Sequence, residues 1–78
     1  MVGFSQGYEE VVLRGSFKAH SFIQFYLRGG RVIAADSVNR AADFMQAKRL
    51  IAEGGLGLTA AQLADESRAL RAWMEALL

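Results

Sequence analysis

Residues 21–38 read SFIQFYLRGGRVIAADSV, and this stretch decides the fold. Two strand-like runs, 21–28 and 31–38, are separated by Gly29 and Gly30 alone. A two-residue hairpin turn needs positive φ at both central positions, which glycine adopts without steric cost. The spacing predicts an antiparallel hairpin in which Leu27 faces Val32 and Phe25 faces Ala34. Along the first arm, Ile23, Phe25 and Leu27 alternate with Phe22, Gln24 and Tyr26, which puts the two sets on opposite faces of the pleat.

Working outward, residues 8–14 (YEEVVLR) are rich in β-branched and aromatic types and read as a further strand. Val11 and Leu13 fall on one side and Val12 on the other, a pattern compatible with cover on both faces. After Asn39 the apolar period changes from two to about 3.6. Ala41, Phe44, Met45, Ile51 and Ala52 then form a stripe that Gly54 and Gly55 end, so a helix is expected over 40–53. Thr59 followed by Gln62 fits a capping box and opens a short helical turn to about Ala64. A last helix from about Ser67 sets Leu70, Trp73, Met74, Leu77 and Leu78 on one face. Strands first and helices after give an α+β, two-layer domain: an antiparallel sheet of about three strands, a short helical turn and two main helices.

Composition narrows the function classes. The chain has 78 residues and no cysteine, which makes one small domain and removes zinc ribbons, redox CxxC motifs and thiol nucleophiles. Nine Lys plus Arg against eight Asp plus Glu give a net charge of +1, far from the basic excess of a general nucleic-acid binder. No apolar run approaches the roughly 18 residues of a membrane span, and no signal sequence follows Met1, so a cytoplasmic location is expected.

Several candidate motifs have a plainer reading. Gly55, Gly57 and Ala60 spell G-x-G-x-x-A, but a helix precedes them where the dinucleotide fingerprint needs a strand; they read as a helix stop. His20 is the lone histidine and has no Cys, Asp or Glu at ligand spacing, and the serines lack a nucleophile elbow. Phe22, Phe25 and Tyr26 beside Arg28 and Arg31 could stack bases, although aromatic strand positions are more often core. Lys48 is the misfit: helical spacing puts it inside the apolar stripe, one turn from Phe44 and Ile51. Its ordinary reading is a stem lying on the surface with the ammonium in water, and its functional reading is the rim of a contact face. Arg71 flanks the stripe of the last helix and by pattern alone is a solvated residue.

Three segments together carry more than any single motif: VGFSQGYEEVVLRGS (2–16), FIQFYLRGGRVIAADSVNRAADFMQAKRLI (22–51) and LADES (63–67). In this order they closely resemble the C-terminal domain of oxygenase-coupled, FAD-dependent NADH:ferredoxin reductases. The resemblance implies that residues 1–78 are a piece of an oxidoreductase. The FAD and NADH domains that precede this segment in the family are absent, as are the tryptophan-containing W-S-D-Q-Y segment and the strand that lead into it, so Met1 reads as a boundary. Taken alone, the domain is expected to be inactive and to hold neither cofactor. In the intact family it covers the flavin region and contributes to the surface where a [2Fe-2S] ferredoxin docks. Lys48 in QAKRLI and Arg71 in ADESRALR resemble docking positions of the family, with Arg71 standing where a member carries lysine. The alternative is a stand-alone, self-associating interaction module of the same fold. Either reading leaves apolar surface and a sheet edge through which the isolated chain is expected to form a homodimer.

Overall fold

The structure is a computed structural model that describes residues 2–3, 6–55 and 57–75. Four strands, β1 (Val2–Gly3), β2 (Glu10–Ser16), β3 (Ser21–Arg28) and β4 (Arg31–Val38), precede three helices, α1 (Ala41–Ala52), α2 (Ala60–Ala64) and α3 (Leu70–Glu75). The sheet is antiparallel in the order β1-β4-β3-β2. The α+β reading therefore holds. The three expected strands are joined by a two-residue fourth, β1, which pairs with Ala34 and Ala35 and covers part of the β4 edge that the sequence left open.

The hairpin forms at Gly29 and Gly30, whose φ values of 58° and 76° lie in the left-handed region a two-residue turn demands. Leu27 faces Val32 as expected, but Phe25 faces Ala35 and not Ala34. A bulge after Tyr26 inserts one residue into β4 and shifts the register beyond it, and a strict two-residue alternation cannot anticipate that. β2 starts and ends two residues later than the strand expected over 8–14. Its cover is uneven: Val12 and Arg14 are buried on one face, whereas on the other Leu13 is half-buried and Val11 is exposed.

Val12, Ile23, Phe25, Leu27, Val32 and Ala35 point to the helical layer, where Ala47, Leu50, Leu63, Leu70 and Met74 close the core. Helix α1 packs on β4, α2 on β2 and α3 on α1. The apolar stripe of α1 differs from the one expected. Ala47 and Leu50 are buried, Phe44 and Ile51 are half-buried, and Ala41, Met45 and Ala52 are exposed. Ala47 carries little weight in a hydropathy pattern, yet a small side chain lets a helix approach a sheet closely, and Ala35 of β4 is equally small and buried.

The helix stop at Gly54 and Gly55 and the capping box at Thr59 are both present, the latter with Thr59 and Gln62 exchanging side-chain-to-backbone hydrogen bonds. α3 begins at Leu70, three residues after the expected start. Ser67 is instead held in a turn by Asp65, whose Oδ1 accepts from its amide at 2.9 Å. Leu77 and Leu78 of the expected stripe lie outside the described residues.

Candidate docking surface

Lys48 and Arg71 each follow a buried helical position by one residue, Ala47 on α1 and Leu70 on α3. A rotation of about 100° per residue therefore turns both toward solvent at the flank of the core face. Lys48 is exposed and has no ion-pair partner among the described residues. Its apparent place in the stripe came from Phe44 and Ile51, which are only half-buried; the buried line runs through Ala47 and Leu50. The side chain of Arg71 is 77% exposed, and its Nε lies 3.1 Å from Oε1 of Glu75, a surface pair of small energetic weight. Because α1 and α3 pack together, the two cations belong to adjoining elements of the helical layer.

Arg68, just before α3, stacks its guanidinium 4.7 Å from the ring centre of Trp73. Trp73 is half-buried against the core, with an indole N–H that has no acceptor among the described residues. Arg49 pairs loosely with Glu53 one turn on. The helical layer thus carries Lys48, Arg49, Arg68 and Arg71 at or near its surface.

Under this surface lies an ionic network that the sequence did not reveal. Arg14, only 2% exposed, reaches from β2 beneath the helices. Its Nη1 donates to the carbonyls of Leu63 (3.2 Å) and Asp65 (2.7 Å), and its Nη2 donates to the carbonyl of Arg68. Asp43 of α1 lies 3.6 Å from its Nε and 3.2 Å from Nη1 of Arg40. Arg40 continues to Glu66 at 2.7 Å and to Ser21 Oγ at 2.9 Å. The hydrogen bond to Glu66 is the main cause that holds the Arg40 guanidinium above its ordinary range. Asp65 is held below the usual carboxylate range by hydrogen bonds from Ser67, with a smaller contribution from Arg14. The one available signal was an arginine at an alternate strand position, in phase with Val12, where a core residue is expected.

The other candidates disperse. His20 sits in the β2–β3 turn at a φ of 53° with its carbonyl accepting from Asn39 Nδ2, and the described residues hold no metal-ligating cluster. Phe25 lies in the core, whereas Phe22 and Tyr26 point to the other face, so the three aromatics do not share a stacking surface. Tyr26 donates to Asp36 Oδ2 at 2.9 Å and meets Tyr8 edge-on, while Phe22 meets Phe17 in the same way. Gly55 seals a helix end against β4 and opens no strand-to-helix phosphate turn. No helix among the described residues is long and apolar enough to cross a membrane.

Residues 1–74 match the family model described as reductase C-terminal. The chain is 44% identical over 71 residues to putidaredoxin reductase of Pseudomonas putida, covering 91% of this chain and 17% of that protein. It is 38% identical over 71 residues to the ferredoxin reductase component of a chlorobenzene dioxygenase from a Cupriavidus species, again 91% of this chain and 17% of that protein. Among solved structures, the covalent putidaredoxin reductase–putidaredoxin complex superposes with a TM-score of 0.89 at 40% identity, over 96% of this chain and 18% of that one. The chain thus spans less than a fifth of the relatives it matches, and within that span its sheet, helix order and sequence place it in the reductase C-terminal family.

Proposed function

We propose that this chain is the C-terminal domain of an FAD-dependent NADH:ferredoxin reductase that passes electrons to the [2Fe-2S] ferredoxin of an oxygenase system in the cytoplasm. The observation that carries the reading is the likeness, over nearly the whole chain, to a reductase seen joined to its redox partner. In this reading flavin and nicotinamide are held by other domains of the full-length enzyme; here Gly55 serves a helix end, and among the described residues no βαβ unit follows it. The domain's share is to cover the flavin region and to offer Lys48 and Arg71 to an acidic partner. Rim cations of this kind raise encounter rates and orient the partner more than they deepen affinity.

The test is titration of putidaredoxin into the labelled chain at low and moderate salt, comparing wild type with a Lys48→Glu, Arg71→Glu double variant. Docking through these cations predicts salt-sensitive binding that the variant weakens by about tenfold or more. A folded wild type that fails to bind leaves the domain as structural cover alone.

Self-association of the isolated chain is a second reading, favoured by the sheet face away from the helices. Tyr8, Val11, Phe17 and Val38 there are exposed apolar residues. Sedimentation equilibrium of the isolated chain distinguishes monomer from dimer.

A further inference from the structure

α3 is a helix of six described residues, too short to persist without tertiary support. Two of them, Leu70 and Met74, are buried in the core. The connection over 65–69, which belongs to no strand or helix, leads the chain from α2 into α3. That connection is held by two guanidinium groups. Arg14 takes the carbonyls of Asp65 and Arg68 from below, and Arg40 takes the carboxylate of Glu66 from the side. Asp43 lies between the two arginines and offsets their charge.

Burying a guanidinium is costly unless its donors are satisfied and its charge is paired. Here three carbonyls of α2 and the connection accept from the two Nη groups, and the Asp43 carboxylate of α1 pairs the charge 3.6 Å from Nε, which makes no hydrogen bond of its own among the described residues. Lysine could not reproduce this arrangement, because its single ammonium lacks the planar fork that spans two separate carbonyls.

We infer that Arg14 is a positioning residue for the docking surface: by fixing the 65–69 connection from inside the sheet, it sets the placement of α3 and thereby of Arg68 and Arg71. The inference rests on the docking role proposed above for Arg71. Arg14 itself is buried and does not touch the partner.

Two measurements separate this from general stabilisation. In native-state hydrogen exchange, Arg14→Lys is expected to speed exchange of the amides over 65–75 by about tenfold or more relative to β3 and β4, the mark of a local opening. Glu66→Gln, an exposed change that loosens the same connection without disturbing the core, is expected to act on the same amides more weakly. This second variant keeps the test valid if Arg14→Lys fails to fold. Acceleration spread evenly over sheet and helices in both variants overturns the inference.

The second measurement is a double-mutant cycle on putidaredoxin binding at low salt, with Glu66→Gln and Arg71→Ala, each checked to be folded. Positioning predicts that Glu66→Gln weakens binding in the wild-type background and has little further effect once Arg71 is gone. Additive losses overturn it. No binding by the wild-type chain overturns the docking reading and with it the functional half of this inference, a result distinct from evenly spread exchange, which overturns the clamp alone.

Discussion

The backbone N–H of Val32 donates to the carbonyl of Gly55 at 2.8 Å, so the residue that ends α1 also closes the neighbouring edge of β4. Gly55 holds a φ of 73°, and its amide in turn donates to the carbonyl of Leu50 at 2.8 Å. Helix stop and strand edge are therefore one structural site.

A side chain at position 55 would have nowhere to go. A Cβ there would lie 2.1 Å from the Val32 carbonyl oxygen, whereas one at Gly54 meets open space. Gly55→Ala is expected to lower unfolding free energy by about 2–4 kcal/mol, and Gly54→Ala by only about 1 kcal/mol through its positive φ. Urea unfolding of both variants measures the difference; equal losses would show that the close approach is not what Gly55 provides.

Two large apolar side chains, Phe25 from the strand alternation and Met45 from the helical stripe, should behave oppositely. Phe25 is fully buried and Met45 is 59% exposed. Phe25→Ala is expected to cost about 3–5 kcal/mol, a large part of the stability of so small a domain, while Met45→Ala stays within about 0.5 kcal/mol. Thermal melts of the pair decide, and a costly Met45→Ala would place the α1 stripe where the hydropathy pattern first put it.

Thr59 caps α2 by accepting from the amide of Gln62 at 3.1 Å, and Gln62 Oε1 accepts from the amide of Thr59 at 2.9 Å. Loss of such a cap costs about 1 kcal/mol. Thr59→Ala should show that loss in chemical denaturation, and Thr59→Ser should recover most of it; a neutral Thr59→Ala would mean that packing of Leu63 alone sustains the turn.

Tyr26 titrates above the ordinary tyrosine range, chiefly because Asp36 accepts its hydrogen bond and, to a lesser extent, because of burial. The fold thus holds this proton more tightly than the unfolded chain does. Its stabilising contribution is fully present below about pH 10, the unfolded value, and is lost as pH rises through the higher folded value. In a Tyr8→Phe background, phenolate absorbance should show Tyr26 ionising above the ordinary tyrosine value, and Asp36→Asn should lower its ionisation. Ionisation of Tyr26 at the ordinary value, unchanged by Asp36→Asn, would contradict its hydrogen bond to Asp36.

Much of this was legible along the chain. Gly29 and Gly30, Thr59 with Gln62, and the glycines after α1 act through their own backbone or a neighbour three residues away, so local chemistry alone specifies them. The core positions Ile23, Phe25 and Leu27 followed from simple alternation. The family, too, was present in the residues, because its motifs are contiguous strings.

Other features depend on segments meeting that are far apart in sequence. The bulge that pairs Phe25 with Ala35 comes from fitting β4 between two neighbours, and the burial of Ala47 and exposure of Met45 come from how closely α1 sits on the sheet. Arg14 illustrates the limit best: a charged residue in a strand reads as solvated until carbonyls some 50 positions away converge on it. Composition and periodicity determined that this is a small α+β domain with a hairpin at its centre. Only the tertiary structure decided which cations are buried as clamps and which, like Lys48 and Arg71, lie exposed at the surface, because the burial of a charge is set by the partners that surround it and not by its position in a pattern.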